Sequence, residues 1–214
     1  MTTAANAHIF PNCDIGPDSS IGAFVVIGEP PAGEQAGGLV TRIGASAIIR
    51  SHTVIYAGNS IGDHFQSGHG ALIREHNQID DHVSIGSHSI IEHHVQIGNR
   101  VRIHSNAFVP EYTILENGCW LGPNVCITNA SHPLCPNYPE CRQPVIVQRN
   151  AKIGANVTIL PGIVIGEMSL VGAGAVVTKN VPAGVVVAGN PAVILRTVDE
   201  IVCSWDQLTK PYLR

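Results

Sequence analysis

The sequence predicts an all-β protein, a parallel β-helix built as a solenoid of six-residue units with a short C-terminal α-helix. Three observations carry that expectation. An aliphatic residue recurs every six positions from Ile43 to Ile127, and only Ser67 breaks the fifteen-site column. Small or β-branched residues such as Ala47, Thr53, Val83, Ser89, Val95, Val101, Ala107 and Cys119 stand two positions before these sites. Glycine directly follows many of them, at Gly44, Gly62, Gly86, Gly98 and Gly122, where a tight bend tolerates little bulk. A period of six matches neither the period of about 3.6 of a helix nor that of about 2 of an ordinary strand. It does match a stack in which each short unit buries its apolar face only against its neighbours. Strands of about three residues stacked at about 4.8 Å follow.

Taken in order, the first block places Ile9, Ile15, Ile21 and Ile27 six apart. The register then breaks, because Ile43 lies sixteen residues beyond Ile27. The intervening run holds Pro30, Pro31, Gly33, Gly37 and Gly38 and cannot continue a strand stack. Residues 29–42 are therefore expected as a loop leaving the body, either a tolerated insertion or an arm against a neighbouring subunit or an acceptor pocket. A second break follows Ile127, and the excursion 129–146 contains Pro133, Pro136, Pro139 and Pro144. The repeat resumes at Val147, Ile153, Ile159, Ile165, Val171 and Val177. Beyond Asn190 the pattern turns helix-like: Pro191 suits a first helical turn, and Val193, Ile194, Val198, Ile201 and Val202 give an apolar face. Such a helix would cap the open strand edges. The expected organisation is a β-helix domain over 1–190 and a helix with a tail over 191–214.

Composition narrows the function. At 214 residues the chain can form one substantial core, and a net charge of −4 with scattered acids and bases leaves no basic patch for nucleic acid. Met1-Thr2-Thr3-Ala4-Ala5-Asn6 has no charged lead into an apolar segment, and no run approaches membrane-spanning length, so no membrane partner and a cytoplasmic location are the expectation. The six cysteines follow no metal-ligand or disulfide spacing. Cys119 occupies a small inward position and reads as a core thiol. Cys135 and Cys141 share a loop with His132, which would allow a metal site or a labile disulfide.

The aliphatic-Gly unit resembles that of the hexapeptide-repeat acyltransferases. The segment 171–196, VGAGAVVTKNVPAGVVVAGNPAVILR, resembles the C-terminal signature of their acetyl-CoA-dependent branch. The resemblance implies a left-handed β-helix with three hexads per eighteen-residue coil, a homotrimer, and acetyl-CoA as co-substrate in a groove between two prisms, with no metal expected. Carried over residue by residue, the cofactor contacts are Ala155, Ala173, Thr178, Lys179 and Arg196. Lys179 and Arg196 could meet the phosphates while the alanines admit the pantetheine arm. The plainer alternative is a stable final coil with solvated bases.

Acyl transfer from a thioester needs a base for the attacking hydroxyl or amine and donors for the oxyanion. Eleven histidines are present, and stacking selects among them. With eighteen residues per coil, Ile55, Ile73, Ile91, Val109 and Ile127 share a column and His76 lies one coil from His94. Beside that column Glu75, His93 and Glu111 stack in order, and two carboxylates would raise the basicity of His93. The loop bearing His132 leaves from the same corner. Ser131-His132-Pro133 resembles the catalytic loop of sugar and antibiotic O-acetyltransferases. His93 stands in the register of the base of lipid A acyltransferases and amino-sugar N-acetyltransferases. The run from Leu72-Ile73-Arg74-Glu75-His76 to Asn129 resembles nucleotide-amino-sugar N-acetyltransferases of surface-polysaccharide synthesis. The candidates in order are His132, His93 and His76, and for each the plainer alternative is a solvated turn residue.

The resemblance thus implies acetylation of the amine of a nucleotide-linked amino sugar, with O-acetylation of a sugar or antibiotic as the alternative. A third reading is a metalloenzyme similar to the γ-class carbonic anhydrases, from the His64/His82 and His88/His93 spacings. The ligand register of that class falls on Ser87 and Glu92 here. A non-enzymatic ice-binding or scaffolding prism would need a flat face of repeated threonine, which the chain lacks.

Overall fold

The computed structural model describes residues 1–132, 134–138, 140–203 and 211–212. Within them, strands of mostly two residues form three sheets of eleven, nine and eight strands. Successive strands fall on successive sheets, so the chain winds as a three-faced parallel prism. The first sheet runs from Thr2–Thr3 through Ser20–Ile21, Ile48–Ile49, Gln66–Ser67, Ser84–Ile85, Arg102–Ile103, Trp120–Leu121, Lys152–Ile153, Leu170–Val171 and Val185–Ala188 to Val193–Thr197. The second runs from His8–Ile9 to Val176–Val177, and the third from Cys13–Ile15 to Val164–Ile165. The regular step is eighteen residues: Ile73 pairs with both Ile55 and Ile91, and Ile91 with Val109.

The aliphatic column is the core. Ile55, Ile73, Ile91, Val109 and Ile127 are all fully buried. Removing each such side chain from water contributes roughly 1.5–3 kcal/mol, which is how two-residue strands that could not persist singly hold together. The small residues two positions earlier are buried as well, including Val83, Val95, Val101 and Cys119. Burial pushes the Cys119 thiol up to about 12, as expected of a core thiol. Ser67 is also buried, and its hydroxyl lies 2.9 Å from that of Thr53 and accepts from Arg50 N at 3.1 Å. A ladder of amides supports the corner between the second and third sheets: Asn59 Oδ1 accepts from Asn77 N at 2.9 Å and Asn77 Oδ1 from Val95 N at 2.7 Å.

The two register breaks are absorbed as excursions that leave the stack intact. Ile15 pairs with Ile43 and Leu115 with Val147, so each long segment loops out and the next strand returns to its column. The second excursion is pinched at its base by an antiparallel bridge between Ala130 and Arg142.

The C-terminal segment departs from the expectation. In place of an α-helix, Val193–Thr197 forms a strand antiparallel to Val185–Ala188, followed by a single 3₁₀ turn at Val198–Glu200. The exposed edge of Val185–Ala188 offers unpaired backbone groups, and a Val-Ile-Leu run satisfies them as a strand at no cost in β-propensity. The apolar spacing read as helical is shared by a short strand and a turn. Residues 204–210 and 213–214 of the expected tail lie outside the described residues.

Candidate active site

The corner between the second and third sheets carries a cluster that the coil repeat assembles. Glu75, His93 and Glu111 stand two residues after Ile73, Ile91 and Val109, and His76, His94 and Tyr112 stand three residues after. His94 is the centre of the ring stack, with its centroid 5.0 Å from both His76 and Tyr112 and nearly parallel to the latter. His93 meets His94 edge-on, and the two Nδ1 atoms lie 2.9 Å apart. His93 is half-buried.

Charges surround these rings. Arg74 donates to both oxygens of Glu75 at 2.9 Å and to Glu92 at 3.4 Å. Burial works to raise the Glu75 carboxyl, but the Arg74 hydrogen bonds and the nearby His93 hold it below its usual range. Glu111 behaves alike: burial raises it, and the hydrogen bond from the Tyr138 hydroxyl leads the opposing effects that carry it below the usual range. His94 is held below the ordinary histidine range by burial first, then by the proximity of His93 and His76. The second excursion also delivers Arg142, whose guanidinium sits 3.7 Å from the centroid of Tyr112. Asn129 Nδ2 donates to the Glu111 carbonyl at 3.4 Å.

The structure thus brings His93 and His76 into one cluster. His132 starts from the same corner but is exposed on the excursion; its carbonyl accepts from Cys135 N at 3.1 Å. Among the described residues its imidazole makes no hydrogen bond or ring contact, and Pro133 lies outside those residues. Tyr112 was legible in principle, since it extends the His76, His94 series by eighteen. Tyr138 and Arg142 lie in aperiodic sequence, and nothing there signals their return to the corner.

The five residues assigned to the cofactor are divided by the fold. Ala155 and Ala173 stack at the corner between the first and second sheets, where Gly174 N donates to Ala155 O at 2.8 Å. Ala173 also lines a groove of about 490 Å³ on the outer face of the first sheet, with Trp120, Lys152, Gly154, Leu170, Gly172 and Tyr212. A Cβ on Gly154 would come 2.6 Å from Ala173 N, so the groove floor is bare backbone. That cradle fits a slender arm such as pantetheine, and Lys152 stands among its walls. Thr178 and Lys179 follow Val176–Val177 on the next corner, and Arg196 is exposed on the antiparallel strand; none of the three lines the groove.

His64 and His82 stack as parallel rings 4.5 Å apart. Among the described residues no three His, Cys, Asp or Glu side chains converge as a metal site, and no helix is long and apolar enough to cross a membrane.

Residues 76–111 and 144–179 match the family described as "Bacterial transferase hexapeptide (six repeats)". The first match spans His76, His93 and Glu111. The chain is similar to the galactoside O-acetyltransferase of Lactococcus lactis, 38% identical over 88 residues that cover 39% of this chain and 42% of that protein. It is 53% identical over 62 residues to the 2,3,4,5-tetrahydropyridine-2,6-dicarboxylate N-acetyltransferase of Clostridium perfringens, covering 29% of this chain and 26% of that protein. In both cases the match spans less than half of the relative's length. The solved structure of an Arabidopsis UDP-N-acetylglucosamine acyltransferase aligns over 91% of this chain and 74% of that chain, with a TM-score of 0.54 at 16% identity, a likeness of fold.

Proposed function

We propose that the protein is an acetyltransferase that uses acetyl-CoA and a small sugar or amine acceptor, most specifically the amine of a nucleotide-linked amino sugar. The observation that carries this reading is the contact between His93 and His94 beside the carboxylates of Glu75 and Glu111. Acetyl-CoA supplies the activated acetyl thioester, and the groove beside Ala173 suits its arm; because that groove lies across the prism from His93, the groove of one subunit would face the His93 corner of the next in the homotrimer. His94, neutral at physiological pH, accepts at Nδ1 from His93 Nδ1–H. That leaves His93 Nε2 with a free lone pair to take the proton from the attacking amine. Glu75 and Glu111 then stabilise the imidazolium, since opposite charges nearby favour the charged form.

Residues 1–190 form the catalytic domain in this reading, with 29–42 and 129–146 as inserted loops. The protein acts as a homotrimer, for which the exposed run Val193, Ile194 and Leu195 offers apolar surface. An acetyl-CoA donor implies the cytoplasm. O-acetylation of a sugar through His132 is the second reading, favoured by the Ser131-His132-Pro133 loop and by the similarity to the Lactococcus enzyme.

The test is steady-state kinetics on purified variants with amino-sugar nucleotides and simple galactosides as acceptors. His93→Asn should lower kcat about 10²- to 10⁴-fold while acetyl-CoA binding, measured by calorimetry, stays unchanged. A variant with full activity removes His93 as base. A comparable loss in His132→Ala together with galactoside turnover transfers the role to His132.

A further inference from the structure

The outer face of the first sheet carries two columns of residues, one just before and one just after each aliphatic site. In the second column glycine is the rule, because a Cβ at Gly68 or Gly86 would meet the backbone nitrogen of Ser87 or Ser105 at 2.2 or 2.3 Å. Arg50 and His104 interrupt this column, with Gly68 and Gly86 between them. Two coils of bare backbone therefore open a recess of about 550 Å³, and Arg102, His69 and His82 stand among its walls.

Arg50 is held in place at two points. Its Nη1 donates to Ser67 O at 2.8 Å and its backbone nitrogen to Ser67 Oγ at 3.1 Å. Ser67 is the one polar residue in the long aliphatic column, so the break in the repeat and the fixed guanidinium are one feature. At the other end His104 packs its ring against Trp120 at 4.7 Å, and its Nε2 is buried without a hydrogen-bond partner. Arg102 lies on the same coil. Among the described residues the lining contains no carboxylate. The neighbouring acids Asp63 and Asp81 are on the adjacent corner, where they accept from the backbone nitrogens of Ala45 and Asp63. A concave wall of one charge sign concentrates ligands of the other.

We propose that this recess binds an extended small anion charged at both ends, an organic bisphosphate or a dicarboxylate, with Arg50 holding one anionic end and Arg102 and His104 the other. The two ends are three coils apart, about 14 Å. Guanidinium groups suit either anion because their forked donors match both carboxylate and phosphate. The site lies across the prism from the His93 corner and is tested without acetyl-CoA, so its failure leaves the acetyltransferase reading untouched, and the converse also holds.

The experiment is isothermal titration of the full chain with fructose 1,6-bisphosphate and, separately, with pimelate, at two salt concentrations. Saturable binding of either probe at one site per chain, weakened by salt, is expected. Binding of the bisphosphate alone marks a phosphoryl ligand, and binding of pimelate alone a dicarboxylate. Arg102→Gln should weaken the bound probe about 10- to 100-fold, and His104→Phe should weaken it too. Arg100→Gln, which removes an exposed cation outside the recess, should bind as the parent does. Equal losses in Arg100→Gln and Arg102→Gln would reduce the effect to diffuse charge and overturn the site. So would the absence of binding of both probes at millimolar concentration to a protein with native circular dichroism.

Discussion

Six of the eleven histidines, His52, His64, His76, His82, His88 and His94, stand three residues after an aliphatic site with φ between 56° and 63°. Histidine, like asparagine and aspartate, tolerates this left-handed corner better than most side chains, so the turn geometry alone accounts for much of the histidine content. The remaining histidines are free of that backbone role, and among them are His93 of the charged corner and His69 and His104 of the cationic recess. His94 combines a turn position with contact to His93, and its depressed pKa has a consequence for stability. Below its ordinary value of 6.5 the unfolded chain binds more protons than the folded one. Its contribution is therefore intact above about pH 6.5 and is lost as pH falls from there toward the folded-state pKa. His104 shifts in the same direction, so the difference between parent and His94→Gln isolates the effect. Melting temperatures between about pH 7.5 and 5.5 should fall less in His94→Gln than in the parent, and parallel curves would count against the assignment. Glu75 and Glu111 act at lower pH, their stabilisation being lost as pH falls below 4.5 through their folded-state values.

At the scale of elements, the last strand shows how an edge decides a conformation. Val193–Thr197 has no core of its own, and Val193, Ile194 and Leu195 are more than half exposed. What holds it is backbone pairing to Val185–Ala188, in which Ile194 lies opposite Val187. Arg196→Pro removes a ladder donor and disrupts the pairing, because Val186, opposite Arg196, turns its polar groups away from the side on which Val187 O accepts from Gly172 N. The expected result is a lower melting temperature with increased light scattering, as the uncovered edge recruits other chains. A variant that melts and scatters as the parent does would mean that the strand contributes nothing to covering that edge. The same logic explains the second excursion, where the Ala130–Arg142 bridge fixes the base of the loop and so returns Tyr138 and Arg142 to the corner.

Across the whole molecule, each coil is buried only by its neighbours, so the cost of a core deletion depends on its place in the stack. Ile91 is fully buried between Ile73 and Val109, whereas Ile9 is half-buried and pairs on one side only, with Ile27. Ile91→Ala should destabilise by about 2–5 kcal/mol, and Ile9→Ala by clearly less, as read from chemical denaturation. Equal losses would show that the stack melts as one rigid unit whatever the site of damage.

The sequence alone determined the solenoid, its six-residue step, the inward column, the two places where the chain leaves the body, and the corner where Glu75, His76, His93 and Glu111 meet. It could do so because a strict period converts linear spacing into spatial stacking with no further information. Only the tertiary structure decided the rest. Tyr138 and Arg142 reach the corner through a loop with no period, and the terminal segment became a strand because an open sheet edge outweighed a helical spacing pattern. Arg50 and His104 form two ends of one recess only because the glycine column between them lies bare. Each of these depends on which backbone groups and which small residues a distant segment finds beside it, and no local pattern encodes that.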